Sequence, residues 1–276
     1  TEVPCKELAA HAFALAVKYN PTHELAKHML ATVTADATMK RASNDYVKSL
    51  FDDYASNFEH SLVEELGYDG FERLRRGFDR ALEKLDPKTT NKLFDVVVDA
   101  GCGTGLVGEQ FRNISKTMIG VDLSEAIIEE ARKQRPHLYE ETIVGDITQV
   151  FPDKAPISLI VAADSYIYFG DLDPLFASMQ AGLDPNGGLV AFTLENVGED
   201  SEKSLSASKP DWRWQLTASG RFAHRKEYAE SVGKSHELHV VHYEPLENFR
   251  TENGVGVRGH MFVMQRRIRS GGEPEL

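Results

Sequence analysis

The stretch of sequence that decides the fold is Val96-Val97-Val98-Asp99-Ala100-Gly101-Cys102-Gly103-Thr104-Gly105. Its first half is a β-branched run typical of a buried strand, and its second half is a glycine-rich turn. Glycines let the backbone turn tightly and let a ligand lie against it with no Cβ atom in the way. The stretch therefore predicts a strand, a turn and a helix that together bind a nucleotide-like ligand.

Two common nucleotide-binding loops do not match this glycine turn. A phosphate-binding P-loop requires a lysine after its last glycine, and no lysine follows here. A dinucleotide-binding loop requires glycine or alanine at the position that Leu106 occupies. Asp99 lies two residues ahead of Gly101, and a carboxylate there suits a cationic group of the ligand better than a phosphate. A nicotinamide-dependent oxidoreductase is therefore the weaker interpretation.

Beyond the glycine turn, short strand-like runs alternate with helix-like segments. This alternation predicts βαβ units and a parallel sheet that helices cover on both faces. The last two runs have no helix between them, so we expect them to pair antiparallel, as a hairpin. The predicted strands are 93–98, 117–121, 142–144, 157–161 and 189–194, and the predicted hairpin strands are 238–243 and 260–265.

The residues before the sheet have a helical pattern. Apolar side chains recur at helical spacing, as in the run from Leu8 to Tyr19. We therefore predict a helical N-terminal cap over residues 1–85 and a ligand-binding core over residues 86–276. Residues 196–222 are the least regular part of the core, and we expect them to form an insert on the substrate side.

Composition disfavours several classes of protein. The 276 residues include 43 acidic and 31 basic side chains, a net charge of −12, which argues against a broad nucleic-acid-binding face. No apolar run reaches the roughly 20 residues that cross a bilayer. Cys5 and Cys102 cannot build a disulfide framework, and their separation does not suggest a metal site.

These features predict a cytoplasmic protein with neither nucleic acid nor membrane as a partner and with no metal. For the oligomeric state we expect a monomer or a homodimer. The first residue is Thr1 rather than Met. An organellar location is therefore the alternative, in case a presequence has been removed.

Two further carboxylates stand where predicted strands end. Asp122, in Gly120-Val121-Asp122-Leu123-Ser124, ends the second strand, where it can accept two hydrogen bonds from a ribose diol. Asp146, in Val144-Gly145-Asp146-Ile147, ends the third strand. There it can take the exocyclic amine of an adenine while Ile147 packs on the ring. The pattern indicates an adenosine-containing ligand.

Four motifs follow in order: Asp99-Ala-Gly-Cys-Gly-Thr-Gly105, Val121-Asp122-Leu123-Ser124, Gly145-Asp146-Ile147 and Asp184-Pro-Asn-Gly-Gly188. Together they resemble those of class I S-adenosylmethionine-dependent methyltransferases, and the resemblance covers about residues 45–268. The segments 46–58, 162–171 and 219–224 are also similar to predicted methyltransferases that carry tetratricopeptide repeats at their N-terminus.

The resemblance implies a Rossmann-like α/β fold with a seven-stranded sheet of order 3-2-1-4-5-7-6, in which strand 7 is antiparallel. It also implies S-adenosyl-L-methionine as cofactor. Asp99 would lie near the ammonium group of the cofactor, and Asp122 would hold the ribose hydroxyls. The full set implied for cofactor binding is Tyr54, Asp99, Gly101, Cys102, Gly103, Asp122, Leu123, Asp146, Ile147 and Ala162.

Methyl transfer from a sulfonium is an in-line displacement, so the protein mainly aligns the reactants in a dry pocket. A general base is needed where the acceptor is a hydroxyl or an amine, but not where it is a carboxylate or a thioether. The candidates for catalysis are His224, Glu195 and Tyr168. The candidates for acceptor binding are Tyr46, Phe51, Tyr166, Trp212, Trp214 and Arg221, although ordinary packing also explains the aromatic residues.

The sequence thus predicts methyl transfer to a small-molecule acceptor with release of S-adenosylhomocysteine. The alternatives are a protein-modifying methyltransferase, and a non-catalytic module that docks a partner through the N-terminal helices.

Overall fold

A computed structural model describes residues 2–60, 67–85, 93–252 and 254–268. Within these ranges, helices and strands alternate as the sequence predicts. The helices are α1 Glu2–Tyr19, α2 Glu24–Thr34, α3 Asn44–Tyr54, α4 Gly70–Leu85, α5 Leu106–Phe111, α6 Glu125–Gln134, α7 Ile147–Asp153, α8 Asp173–Gly182, α9 Glu199–Ser208 and α10 Lys226–Ser235. The strands are β1 Phe94–Ala100, β2 Ser115–Asp122, β3 Glu141–Val144, β4 Leu159–Ala162, β5 Leu189–Glu195, β6 Trp214–Leu216, β7 Phe222–His224, β8 Leu238–Glu252 and β9 Val255–Arg266.

The described strands join in one mixed sheet. β1 lies between β2 and β4, and β3 and β5 extend the sheet on either side, all parallel. β9 pairs antiparallel with β5, and β8 pairs with β9, which gives the order β3-β2-β1-β4-β5-β9-β8. With the short β6 and β7 set aside, this is the predicted 3-2-1-4-5-7-6 order with an antiparallel seventh strand. The predicted Rossmann-like α/β fold is confirmed.

The two short strands belong to residues 196–224. α9 is followed by β6 and β7, which pair antiparallel with each other. β7 also meets the end of β5, where Ala223 lies opposite Glu195. This segment therefore leaves the sheet at the carboxyl end of β5 and returns to it there.

Helices cover both faces of the sheet, as its apolar inner strands require. On one face α7 and α8 contribute the fully buried Phe151 and Phe176. On the other face α4 and α5 contribute the fully buried Phe78 and Phe111, whose rings meet edge to face at 5.4 Å between centroids. α4 thus covers the sheet, although it lies within the predicted cap. The predicted boundary at residues 85–86 adjoins residues 86–92, which lie outside the described residues.

None of the described helices is long and apolar enough to span a membrane.

Candidate active site

A cavity of about 340 Å³ opens at the carboxyl ends of β1, β2 and β4. Its lining includes the glycine turn after β1, Asp122 at the end of β2 and Asp164 shortly after β4. α3 borders the cavity through Val47 and Phe51. Open α/β sheets bind their ligands at this edge, so the cavity is the candidate active site.

The glycine turn presents bare backbone to the cavity. Gly101 and Gly103 have φ angles of +75° and +52°, a region that side-chain-bearing residues rarely adopt. The N–H groups of Gly101 and Cys102 both donate to the carbonyl oxygen of Val121, at 2.8 and 2.9 Å. A Cβ atom on Gly101 would lie 2.4 Å from the Cβ of Ser165. The turn is therefore fixed in a shape that lets a ligand lie against it.

Asp122 ties this turn to the neighbouring strand. One of its carboxylate oxygens accepts the N–H of Gly103 and the other accepts the N–H of Ser124, both at 3.0 Å. Burial raises the pKa of this carboxyl, and the backbone donors act against the rise. Asp122 and Leu123 both line the cavity, as expected of residues predicted to contact a ribose and an adenine.

Asp99 lies behind the glycine turn. It is fully buried and is not among the residues that line the cavity. Tyr139 donates to its Oδ2 at 2.7 Å, and its Oδ1 has no hydrogen-bond partner among the described residues. Burial raises the pKa of Asp99 to about 7. An unpartnered carboxylate oxygen beneath bare backbone fits a nearby cationic group, so the residues present fit the ammonium end of S-adenosylmethionine.

Asp146 connects the N-terminal segment to the cavity. Its Oδ1 caps α7 by accepting the N–H of Thr148 at 3.0 Å, and its Oδ2 accepts from Asn44 at 3.0 Å and from Arg41 at 2.8 Å. Burial acts to raise the pKa of Asp146, but these donors hold it below its ordinary value. Ile147 lines the cavity beside it. The predicted adenine end therefore lies next to the segment that carries Arg41.

A buried cluster of charges lies across β1 from Asp146. Arg250 of β8 is fully buried and donates to both carboxylate oxygens of Asp164, to Glu195 and to Glu252. Arg221 also pairs with Glu252. Asp164 has a φ of +59°, and both Asp164 and Arg221 line the cavity. The cluster holds two charged groups at this end of the cavity wall.

Aromatic side chains border the charged end. Tyr68 is buried and lines the cavity, and its hydroxyl has no hydrogen-bond partner among the described residues. Tyr168 also lines the cavity and meets Phe51 edge to face at 5.8 Å, and Phe51 meets Phe58 in the same way at 5.8 Å. Burial raises the pKa of Tyr68 and of Tyr168, so both phenols are neutral.

The cavity lining includes most of the predicted site residues. They are Tyr54, Gly101, Cys102, Gly103, Asp122, Leu123, Asp146 and Ile147 from the cofactor set, and Phe51, Tyr168 and Arg221 from the acceptor and catalytic sets. Ala162 does not line the cavity, whereas Ala163 and Asp164 do, because β4 ends at Ala162 and the chain turns towards the cavity after it.

The prediction that His224 lies at the mouth of the cavity is wrong. β7 places His224 inside the sheet, where it is fully buried and its Nε2 lies 2.7 Å from the carbonyl oxygen of Phe169. Burial lowers the pKa of His224 to about 4. Glu195, predicted to face the substrate, is buried against Arg250 and is not part of the cavity lining.

Four aromatic residues predicted to bind the acceptor also lie outside the cavity lining. Tyr166 is fully buried in the core below the sheet edge. Tyr46 stacks on the ring of His28, with 3.9 Å between centroids. Trp212 is buried among residues of the 196–224 segment, and the indole N–H of Trp214 donates to a backbone carbonyl ahead of α3 at 3.2 Å. Trp214 therefore attaches this segment to the chain ahead of α3, Trp212 packs within the segment, and neither residue lines the cavity.

Residues not singled out from the sequence include Arg41, Tyr68 and Asp164, which line the cavity, and Arg250, which is hydrogen-bonded to Asp164. Asp164 could have been found from the sequence, because it follows the fourth predicted strand just as Asp122 and Asp146 stand at the ends of the second and third. The other three come from distant parts of the chain, and only the tertiary fold brings them to the site.

Comparisons with known proteins agree with the fold. Residues 97–187 match the model of a methyltransferase domain family. The chain is 28% identical over 159 residues to the trans-aconitate 2-methyltransferase of Yersinia pseudotuberculosis serotype O:1b. The aligned region covers 56% of this chain and 59% of that protein. It is 34% identical over 126 residues to the trans-aconitate 2-methyltransferase of Acidovorax sp. strain JS42, over 44% of this chain and 47% of that protein. The chain thus spans less than two thirds of the length of these relatives.

Two solved structures share the fold. The magnesium protoporphyrin IX methyltransferase from Synechocystis PCC 6803 with bound SAH superposes with a TM-score of 0.55 at 12% identity, covering 82% of this chain and 100% of that chain. An S-adenosylmethionine-dependent methyltransferase from Clostridium acetobutylicum gives a TM-score of 0.51 at 16% identity, covering 78% of this chain and 98% of that chain. The fold is that of the class I methyltransferases.

Proposed function

We propose that this chain binds S-adenosyl-L-methionine and transfers its methyl group to a small-molecule acceptor, releasing S-adenosylhomocysteine. The observation that carries the proposal is the arrangement of three neighbouring strand ends around one cavity: the bare turn after β1, Asp122 at the end of β2 and Asp146 after β3. The similarity to methyltransferases supports the same function.

In this proposal the cofactor lies across the glycine turn. Each carboxylate oxygen of Asp122 accepts one backbone N–H and keeps lone pairs for the ribose hydroxyls. Asp146 and Ile147 border the adenine. The methionine part lies against the backbone of Gly101, with the buried carboxylate of Asp99 behind it. Tyr54 of α3 covers the outer side.

The chain itself contributes alignment and the exclusion of water, because the sulfonium supplies the leaving group. Phe51, Phe58 and Tyr168 form an aromatic wall that excludes water from the reaction path. We infer that the N-terminal residues 1–85 supply part of this cover, as the predicted cap. The insert at residues 196–222 contributes Arg221 to the acceptor end.

A small acceptor suits the enclosure of the site. The cavity volume of about 340 Å³ is at the lower end of the range for small-molecule sites. The segment carrying Arg41 crosses to Asp146 and closes one side. The relatives named for trans-aconitate support an acceptor of this size class.

Turnover tests the proposal. The purified chain is incubated with S-adenosylmethionine and a panel of small acids, phenols, amines and thioethers, and both S-adenosylhomocysteine and methylated products are measured by mass spectrometry. We expect methylation of at least one class, a large loss in Asp122→Ala, and no loss in Asp153→Ala, a carboxylate on the exposed end of α7. Methylation of proteins alone, with none of the small acceptors used, contradicts the small-molecule part.

A protein-modifying function is the second candidate because α1 exposes apolar side chains. Leu8, Leu15 and Tyr19 are 70%, 38% and 82% exposed on a helix that packs against α2. If they dock a protein substrate, changing these three residues to serine removes protein methylation and leaves small-molecule turnover intact.

A further inference from the structure

The acceptor end of the cavity contains a hydrogen-bond donor without a partner. Tyr68 is 4% exposed, lines the cavity and has no hydrogen-bond partner for its hydroxyl among the described residues. A buried hydroxyl without a partner costs free energy, and a ligand that accepts its hydrogen bond removes that cost. Because this phenol is neutral, it donates. The group it meets therefore carries an oxygen or nitrogen lone pair.

Arg221 supplies positive charge to the same end. It lines the cavity, interacts with the oxygen of Tyr168 and pairs with Glu252. Arg250 carries the second positive charge and is saturated by Asp164, Glu195 and Glu252. Arg221 is thus the guanidinium of this cluster that faces the cavity.

The carboxylates of the cluster determine whether Arg221 can bind the carboxylate of a ligand. Asp164 is held by Arg250, whereas Glu252 pairs with both guanidinium groups and Glu195 pairs with Arg250 and lies 3.8 Å from Arg221. The side chain of Glu252 is 25% exposed and is not part of the cavity lining. An incoming carboxylate can therefore take the place of Glu252 on Arg221 while Glu252 keeps its hydrogen bond from Nε of Arg250.

The described cavity lining offers no free base for an acceptor that must lose a proton. It contains neither histidine nor lysine. Asp122 and Asp146 lie at the cofactor end, and both oxygens of Asp164 are paired with the guanidinium of Arg250. An alcohol or an amine needs such a base, whereas a carboxylate does not.

The rest of the acceptor end is apolar. Phe51 and Tyr168 meet edge to face, and Ile167 and Ala163 also line the cavity. The described lining contains two positively charged side chains, Arg41 and Arg221. Arg41 is paired with Asp146, which leaves Arg221 for the acceptor. The lining therefore matches one carboxylate on an apolar body better than several carboxylates.

We propose that the acceptor is a carboxylic acid with an apolar body, and that its carboxylate binds between the hydroxyl of Tyr68 and the guanidinium of Arg221. This inference rests on the proposed methyltransferase function. The acid oxygen attacks the methyl carbon, a C–O bond forms, and the C–S bond breaks with its electron pair remaining on sulfur. The products are a neutral methyl ester and S-adenosylhomocysteine, and no proton moves.

Matched probes test the acceptor class. Phenylacetate, 2-phenylethanol and phenethylamine share one body, and trans-aconitate carries three carboxylates without an apolar body. Binding of each is measured by calorimetry to the chain loaded with S-adenosylhomocysteine, and methylated products are measured with S-adenosylmethionine. We expect phenylacetate to bind and to yield its methyl ester, ahead of the alcohol, the amine and trans-aconitate.

Variants test the assigned residues. Tyr68→Phe removes the donor and is expected to weaken phenylacetate binding about 10- to 100-fold, the range for a hydrogen bond to a charged group. Tyr166→Phe, which removes a phenol buried in the core, is the matched control and leaves binding unchanged. Glu252→Gln is expected to strengthen acid binding several-fold, whereas Glu247→Gln, at a surface pair with Arg258, has no effect.

Three results overturn the inference: preferred methylation of the amine, the alcohol or trans-aconitate; equal effects of Tyr68→Phe and Tyr166→Phe; or no binding of any acid at millimolar concentration. Each leaves the proposed function standing as long as S-adenosylmethionine binds. Failure of S-adenosylmethionine to bind removes the proposed function itself.

Discussion

The two ends of the cavity are built in different ways. The cofactor end consists of a turn and two carboxylates at the ends of neighbouring parallel strands, Gly101, Asp122 and Asp146. The acceptor end brings together Tyr68, Asp164 and Arg221 with Arg250 of the terminal hairpin behind them. The first set follows from the strand order alone, and the second depends on contacts between distant segments. We expect the two ends to respond separately to substitution.

The largest effect is expected at the acceptor end. Arg250→Met leaves the carboxylate of Asp164 without its ion partner and leaves Glu195 with Arg221 at 3.8 Å, and removing one partner of a buried ion pair costs about 3–5 kcal/mol. The free energy of unfolding, measured with denaturant, reports the loss. Arg258→Met is the control: its surface pair with Glu247 contributes about 0–1 kcal/mol. Similar losses in the two variants contradict the buried cluster.

The next effect is expected at the cofactor end. Gly101→Val forces a branched side chain into a backbone of φ +75° and against Ser165. Left-handed strain and overpacking together cost about 2–5 kcal/mol. Calorimetry should detect little or no binding of S-adenosylmethionine. Gly198→Val is the control, because a Cβ there meets nothing within 4 Å. Wild-type affinity in Gly101→Val is incompatible with a ligand lying on this turn.

A smaller effect is expected from replacing Asp122, the residue assigned to the ribose of the cofactor. Asp122→Ala should weaken S-adenosylmethionine binding by about 1–3 kcal/mol, the usual scale for losing hydrogen bonds to a charged group. Binding of phenylacetate to the chain loaded with S-adenosylhomocysteine should then change far less than it does in Tyr68→Phe. Unchanged cofactor affinity in Asp122→Ala places the ribose elsewhere.

Acid titration gives the smallest effect. Burial lowers the pKa of His224 and of His260 from the ordinary value of 6.5 to about 4. Between pH 6.5 and pH 4, unfolding therefore takes up protons on both histidines. Burial raises the pKa of Asp99 to about 7, so unfolding releases one proton over the same interval. The net uptake of about one proton makes the free energy of unfolding fall by about 1 kcal/mol per pH unit as pH drops from 6 to 5.

The variant Asp99→Asn isolates the contribution of the cofactor end to this pH dependence. Without the proton that Asp99 releases, the slope of the free energy of unfolding against pH should roughly double. Denaturant titrations at several pH values measure both slopes. An identical slope in the variant means that Asp99 is charged in the folded protein at these pH values.

The contrast between the two ends also explains what could be predicted from the sequence. The glycine turn, Asp122 and Asp146 are each adjacent in sequence to a strand, and parallel strands end at one edge of the sheet. Their placement in the cavity is therefore set by local pattern. The sheet order came from the resemblance, and the antiparallel hairpin came from the missing helix between the last two runs.

The acceptor end lacked such local signals. His224 stands near Arg221 in sequence, yet β7 turns the histidine into the sheet while Arg221 faces the cavity. The 3-10 turn Tyr166–Tyr168 likewise sends Tyr166 into the core and Tyr168 to the cavity. Arg250 reaches Asp164 only through the register of the hairpin. The spacing of residues along the sequence does not show which way a side chain points in a short element. It also does not show which distant side chains pair in the folded protein.

Cofactor binding is the most direct test of the role assigned to the glycine turn. The purified chain is titrated by calorimetry with S-adenosylmethionine, S-adenosylhomocysteine and NAD in parallel. We expect binding of the two sulfur nucleosides and no binding of NAD, because Leu106 stands where a dinucleotide loop needs glycine or alanine. Binding of NAD alone, or of none of the three, contradicts the assignment of the glycine turn and of every residue placed around it.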